Sequence, residues 1–124
     1  MKSAVRGFSL IEIMIVMALI GLIVAGIAVA VFGQMEKGQK SAARTEAAGL
    51  AQKLVIYKAE RRKAPDSWED LIKNGDVEKA PVDPWGNEYR FVCPGTHNAK
   101  SCDVVSNGPD GQPDTEDDVG NWDD

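Results

Sequence analysis

An apolar run of twenty-five residues, from Phe8 to Phe32, constrains this chain more than any other feature of its sequence. Only Ser9 and Glu12 are distinctly polar within it. A helix rises about 1.5 Å per residue, so a helix of this length crosses the roughly 30 Å hydrocarbon core of a bilayer. We therefore predict a membrane-spanning helix around which the rest of the chain is organised.

The seven residues before this run carry two cations, Lys2 and Arg6. Positive charge keeps the adjacent end of a membrane helix in the cytoplasm, so we expect the chain after Phe32 to be exported. A cleaved secretory signal has a hydrophobic stretch of about 7 to 15 residues followed by a small-residue cleavage site. The run in this chain is longer, which favours a membrane segment.

Glu12 is an acid inside the apolar run. Insertion scales place the cost of a charged residue in a membrane helix at about 2.5 to 3.5 kcal/mol, so such residues usually have a partner and a function. The alternative is a glutamate that lies close enough to the lipid headgroups to stay hydrated. The residue alone leaves both interpretations open.

The start of the chain resembles the processing site of type IV pilins and type II secretion pseudopilins, in the string RGFSLIEIMIV. This motif joins a basic leader, a Gly7–Phe8 junction, a single Glu and a spanning apolar run. The resemblance implies that a prepilin peptidase removes the leader, residues 1–7, and methylates the new N-terminus at Phe8. It also implies an assembly role for Glu12, whose carboxylate would face the Phe8 amine of a neighbouring subunit.

An amphipathic pattern follows the apolar run. Its apolar residues recur at spacings of three and four, which places them on one helical face. They are Ala43, Ala47, Leu50, Leu54 and Tyr57. We predict one helix that continues to about Arg62, with a membrane and assembly half at 8–32 and an amphipathic half at 33–62.

The remaining residues, 63–124, predict a small exported head. Pro65 ends the long helix, and the string SWEDLIK predicts a short one that stops near Asn74. Tyr89 to Cys93 alternate as in a strand, and Asp103 to Ser106 form the returning strand. The predicted fold class is α+β and, by the resemblance, type IV pilin-like: one long N-terminal helix and a small antiparallel sheet.

Two cysteines, Cys93 and Cys102, lie in the exported part. Their even number, their close spacing and an oxidising destination favour a disulfide between them. The alternative is a metal site, which would need more soft ligands than the single His97 nearby supplies.

The C-terminal segment is strongly acidic: it has eight acids from Asp103 onward and no Lys or Arg. Carboxylates in a loop bent by glycine and proline offer the hard oxygen ligands that Ca²⁺ prefers. The EF-hand pattern does not fit, because no glycine follows a D-x-D-x-D array at the required place. The alternative is a solvated acidic tail.

The head resembles one group within these families, the major pseudopilins of type II secretion systems. The strings that carry this resemblance are DPWGNEY, DVVSNGPDG and TEDDVGNW. Members of that family bind calcium in this loop. The resemblance implies side-chain ligands at Asp110 and Asp117, with further oxygens from Asn107, Gln112 and Val119. Asp118 would contribute charge, and Asp114 and Glu116 would be exposed. We predict that Trp122 anchors the loop to the core, with a contact at a subunit interface as the alternative.

Charge and composition exclude several classes of function. Removal of Lys2 and Arg6 changes the net charge from −5 to −7, which argues against nucleic acid as a partner. One histidine, without a defensible nucleophile and base or a phosphate-binding loop, argues against an enzyme.

The resemblance implies a structural subunit that polymerises with itself into a periplasmic pseudopilus and promotes export of folded proteins across the outer membrane. Its implied partners are minor pseudopilins, an inner-membrane assembly platform and the prepilin peptidase. The implied location is the bacterial inner membrane, crossed once with the N-terminus in the cytoplasm and the head in the periplasm. The alternatives are a type IV pilus major pilin and an uncleaved, membrane-anchored calcium-binding module.

Overall fold

The computed structural model describes residues 3–123 of the chain. Its elements are α1 (Leu10–Arg61), α2 (Trp68–Lys73), β1 (Arg90–Val92), β2 (Asp103–Ser106) and β3 (Val119–Gly120). The chain divides into two compact units at a boundary within α1: the first unit ends at Lys37 and the second begins at Gly38. Lys2, one of the two cations of the predicted leader, lies outside the described residues, as do Met1 and Asp124.

The first unit contains the apolar part of α1. By length and composition this helix is able to cross a membrane, and none of its most apolar stretch is buried within the protein. Large side chains such as Leu22 and Val29 are exposed. An apolar surface of this extent marks a helix whose surroundings are lipid or other protein chains rather than water.

The second unit has a small hydrophobic core built on the remainder of α1. The predicted stripe is confirmed: Ala43, Ala47, Leu54 and Tyr57 are buried and Leu50 packs against the core. The other buried members of the core are Ala51, Trp68, Leu71, Tyr89, Cys102 and Val104. The predicted end of the long helix near Arg62 agrees with the observed end at Arg61.

Helix α2, which is the predicted short helix, and Tyr89 pack against the core residues of α1. The indole of Trp68 donates a 2.7 Å hydrogen bond to the carbonyl oxygen of Tyr89, and its ring meets Phe91 edge-on at 4.6 Å. The phenol of Tyr89 donates a 2.7 Å hydrogen bond to Glu46. Burial, and then this hydrogen bond to a carboxylate, raise the pKa of Tyr89.

The sheet has three antiparallel strands in the order β1-β2-β3 among the residues described. In β1, Phe91 pairs with Val104 of β2, and at the other edge of β2 Ser106 pairs with Val119 of β3. The two predicted strands are thus confirmed. Strand β3 was not predicted, because a two-residue strand inside an acidic loop has no periodicity to read.

Candidate assembly and metal sites

Ser9 and Glu12 form a capping box at the start of α1. The amide of Ser9 donates to Glu12 Oε2 at 3.1 Å, and the amide of Glu12 donates to Ser9 Oγ at 3.3 Å. Both amides belong to the helix terminus, where backbone donors have no partner within the helix. The S-x-x-E spacing is a local signal of this capping box, although the sequence prediction for Glu12 concerned only its burial in an apolar run and its role in assembly.

The predicted cleavage junction lies just before this capping box. Gly7 and Phe8 precede the first helical residue, and Phe8 is 85% exposed. The capping box holds the Glu12 carboxylate against the amide of Ser9, the residue after Phe8. The carboxylate therefore lies at the helix N-terminus, where the helix dipole favours a negative charge.

The acidic loop, residues 107–118 between β2 and β3, brings three carboxylates together. One oxygen from each of Asp110, Asp117 and Asp118 lies within 4.8 Å of the others, a spacing that could hold a metal ion. The amide of Asp110 donates to Asp117 Oδ2 at 3.1 Å, and the amide of Gln112 donates to Asp110 Oδ1 at 2.9 Å. The two predicted side-chain ligands therefore converge.

Hydrogen bonds keep Asp117 in its charged form. The hydroxyl of Thr115 is the main cause of a lowered pKa for this carboxyl, and the amide of Asp110 adds to the effect. A carboxylate ligand must be deprotonated to bind a metal ion. Thr115 and Asp110 therefore favour the protonation state that binding requires.

Gly108 lies close to the backbone of Asp117 in the acidic loop. Its φ is +72°, and an added Cβ would lie 2.2 Å from the carbonyl oxygen of Asp117 and 3.1 Å from its Oδ2. Only glycine allows the chain to pass this close to Asp117. The narrow approach and the all-oxygen donor set together fit a hard cation such as Ca²⁺.

The guanidinium of Arg90 places a positive charge against one side of the acidic loop. Its Nε donates to Asn107 Oδ1 at 2.7 Å, its Nη2 to Asp118 Oδ2 at 3.1 Å, and its Nη1 lies 3.7 Å from Asp114. The side-chain oxygen of Asn107 thus already accepts a hydrogen bond from Arg90. The sequence predicted Arg90 only as a member of a strand, without any contact to the acidic loop.

The other predicted oxygen donors lie on the loop and on its returning strand. The carbonyl of Gln112 accepts from the Thr115 hydroxyl at 3.2 Å, and Val119 belongs to β3, where it is buried. Asp114 and Glu116 are exposed, as predicted. The structure therefore gathers Asp110, Asp117 and the Gly108 backbone, and positions Val119 by strand pairing.

The predicted disulfide between Cys93 and Cys102 is present. Asp103 follows the loop that this disulfide closes, and its buried carboxylate accepts hydrogen bonds from three groups of that loop: the amides of His97 and Asn98 and the hydroxyl of Thr96. Burial would raise the pKa of Asp103, but these hydrogen bonds outweigh it and lower the pKa overall.

Trp122 lies outside the hydrophobic core cluster, which differs from its predicted role as a core anchor. Its ring stacks on His97 at 3.8 Å with the planes 3° apart, and it covers Gly120, where a Cβ would come within 2.6 Å of the indole. The neighbouring Asn121 accepts from the amide of Val104 and donates to the carbonyl of Cys102. The chain after β3 is therefore anchored on the cysteine loop and β2.

Comparisons with known proteins agree with this architecture. Residues 30–122 match the family described as type II secretion system (T2SS), protein G, and residues 2–32 match the prokaryotic N-terminal methylation motif. The chain is 35% identical to type II secretion system core protein G of Dickeya chrysanthemi, over 98% of this chain and 89% of that protein. It is 36% identical to the Escherichia coli protein of the same name, over 94% of this chain and 90% of the relative.

A solved structure shares the fold. The crystal structure of the major pseudopilin from the type 2 secretion system of enterohaemorrhagic Escherichia coli superposes with a TM-score of 0.63 at 28% identity. The match covers 73% of this chain and 92% of that one. Sequence matches over nearly the whole chain and a shared fold lead to one conclusion: the chain belongs to the type II secretion system protein G family, the major pseudopilins.

Proposed function

We propose that this chain is the structural subunit of a type II secretion pseudopilus. It polymerises through its apolar N-terminal helix into a periplasmic fibre that promotes export of folded proteins across the outer membrane. The observation that carries the proposal is the exposed apolar part of α1, preceded by a matched methylation motif and followed by a head of the protein G family. The family membership favours this function over a type IV pilus pilin.

Processing at the Gly7–Phe8 junction prepares the subunit for assembly. A prepilin peptidase removes residues 1–7, and the new Phe8 amine carries a positive charge one residue before the capping box. The Glu12 carboxylate of a neighbouring copy pairs with this amine, which offsets the cost of burying either charge among packed helices. The pairing fixes the register between adjacent subunits.

A calcium ion completes the head. Its side-chain ligands are Asp110 and Asp117, and further oxygens come from Asn107, Gln112 and Val119. When bound, the ion neutralises the repulsion between these carboxylates and links the acidic loop to β3. A head with so small a core gains stability from such a link, because metal binding free energy adds to folding free energy.

The role of the chain is structural rather than enzymatic, and its partners are other components of the secretion system. Before assembly it crosses the inner membrane once, with the N-terminus in the cytoplasm and the head in the periplasm. There it binds further copies of itself, minor pseudopilins and the inner-membrane assembly platform. An uncleaved, membrane-anchored calcium-binding module is the remaining alternative.

Glu12→Ala tests the assembly step directly. Cells that express this variant should cleave the leader as the parent does but form no fibres, measured by N-terminal sequencing and by electron microscopy of sheared fibres. Glu60→Ala, which removes an acid near the other end of the same helix, is the matched control and should assemble. Normal fibres from Glu12→Ala would show that this carboxylate does not set the register.

A further inference from the structure

A buried carboxylate in the turn before β1 reaches across to β2. Asp83 is 4% exposed, and its Oδ2 accepts a hydrogen bond of 2.5 Å from the hydroxyl of Ser106, the last residue of β2. Ser106 is completely buried. Burial of a carboxylate and a hydroxyl costs free energy unless both groups have hydrogen-bond partners, and here each of them has more than one.

The hydroxyl of Ser106 also accepts a hydrogen bond, from the amide of Gly108 at 3.1 Å. It therefore lies between Asp83 and the first turn of the acidic loop, and donates to one while it accepts from the other. Hydrogen bonds joined in this way polarise and strengthen one another in a buried setting. Gly108 is also the residue whose backbone packs against the carbonyl of Asp117.

The other oxygen of Asp83 is fixed within its own turn. Asp83 Oδ1 accepts from the amides of Trp85 at 3.1 Å and Asn87 at 2.8 Å. The side chain of Asn87 in turn lies against Gly111 of the acidic loop, where an added Cβ would be 3.3 Å from its Nδ2. The turn at residues 83–87 thus contacts the acidic loop directly at Gly111 and, through the Ser106 hydroxyl, is linked to Gly108.

We propose that Asp83 and Ser106 are positioning residues of the metal site. They hold the Gly108 backbone in the path that lets Asp117 approach it, so that the oxygens of Asp110 and Asp117 lie together before an ion arrives. This inference rests on the calcium site of the proposed function. A loop fixed in its binding conformation loses less entropy when the ion binds, and partners of this kind typically raise metal affinity by about 10- to 100-fold.

The test is a calcium titration of the full-length protein in detergent micelles, followed by calorimetry. Ser106→Ala removes the bridging hydroxyl, and Asp83→Asn keeps the size of the side chain but changes its hydrogen bonding. Both should bind calcium about 10- to 100-fold more weakly than the parent. Leu71→Val, which trims a core side chain on α2, is the control and should keep the parent's affinity.

Thermal unfolding in EDTA separates positioning from a general loss of stability. The comparison requires that Ser106→Ala and Leu71→Val have similar melting temperatures in EDTA. If Ser106 has a positioning role, Ser106→Ala should then bind calcium more weakly than Leu71→Val does. Parental calcium affinity in folded Ser106→Ala would overturn the inference and leave the calcium site intact. A parent protein that binds no calcium would overturn both. If Asp83→Asn does not fold, Ser106→Ala decides the question alone.

Discussion

Arg90 and Asp118 form a 3.1 Å ion pair at the edge of the acidic loop. Asp118 is 15% exposed, so its side chain is more enclosed than that of Arg90, which is 38% exposed. The pair divides the three clustered carboxylates into two classes. Asp118 is already neutralised by a cation of the protein, while Asp110 and Asp117 contact each other without one in the described structure.

This division predicts unequal effects of two similar substitutions. Asp117→Asn should weaken calcium binding by more than the roughly 10- to 100-fold typical for loss of a supporting partner, because it removes a ligand. Asp118→Asn should weaken binding much less, because its charge faces Arg90. Titration of the two variants in parallel measures the difference, and equal losses would show that Asp118 is a ligand too.

Gly108→Ala should destabilise the head and abolish calcium binding. A non-glycine residue at a positive φ costs about 1 to 3 kcal/mol, and the new Cβ would also collide with the Asp117 carbonyl. Gly49→Ala is the matched control: it lies inside α1 with open space around its Cβ, and should stabilise the helix by about 0.5 to 1 kcal/mol. Urea unfolding of both variants checks the prediction, and calcium binding by Gly108→Ala would contradict it.

The head should lose stability in acid partly through Asp103. Its pKa is lower in the folded protein than in the unfolded chain, so its contribution is present above the unfolded value of about 4 and is lost as the pH falls through the folded value. Urea unfolding at pH 7 and at pH 3, with EDTA present, measures this loss.

Asp103→Asn identifies the group responsible. The asparagine amide keeps one acceptor oxygen and replaces the other with a donor, so one of the backbone amides of His97 and Asn98 loses its acceptor and the variant should lose about 1 to 3 kcal/mol at pH 7. It should also lose less stability than the parent between pH 7 and pH 3. If the variant and the parent lose the same free energy of unfolding between pH 7 and pH 3, the acid sensitivity belongs to other carboxyl groups.

The Cys93–Cys102 disulfide should stabilise the head by about 2 to 3 kcal/mol, because it closes a short loop in the unfolded chain. Replacing both cysteines with serine, or reducing the parent, should lower the melting temperature. The stacked pair of His97 and Trp122 should loosen at the same time, because His97 lies in the loop that the disulfide closes. A disulfide-free protein with the parent's melting temperature would contradict this account.

Sequence reasoning was most successful where periodicity is strong. The apolar run, the stripe from Ala43 to Tyr57 and the strand at Asp103 to Ser106 all have patterns that indicate the type of element, and the stripe also indicates the face that is buried. The disulfide followed from the number and spacing of the cysteines. These features depend on residues close together in sequence.

The parts that could not be predicted depend on contacts between distant residues. Arg90 reaches Asp118, and Asp83 reaches Ser106, across separations that no local pattern encodes. Trp122 was predicted to anchor the loop to the core, yet it stacks on His97, which lies in the loop between the two cysteines. The capping box of Ser9 and Glu12 is different, since its S-x-x-E signal was local and legible.

The central claim is that this chain is processed and assembled as a pseudopilin, and the intact mass and N-terminal sequence of the protein from its native membrane test it most directly. We predict a chain that begins at N-methylated Phe8. A protein that still carries Met1 and the uncut Gly7–Phe8 junction would contradict it and favour a membrane-anchored binding module.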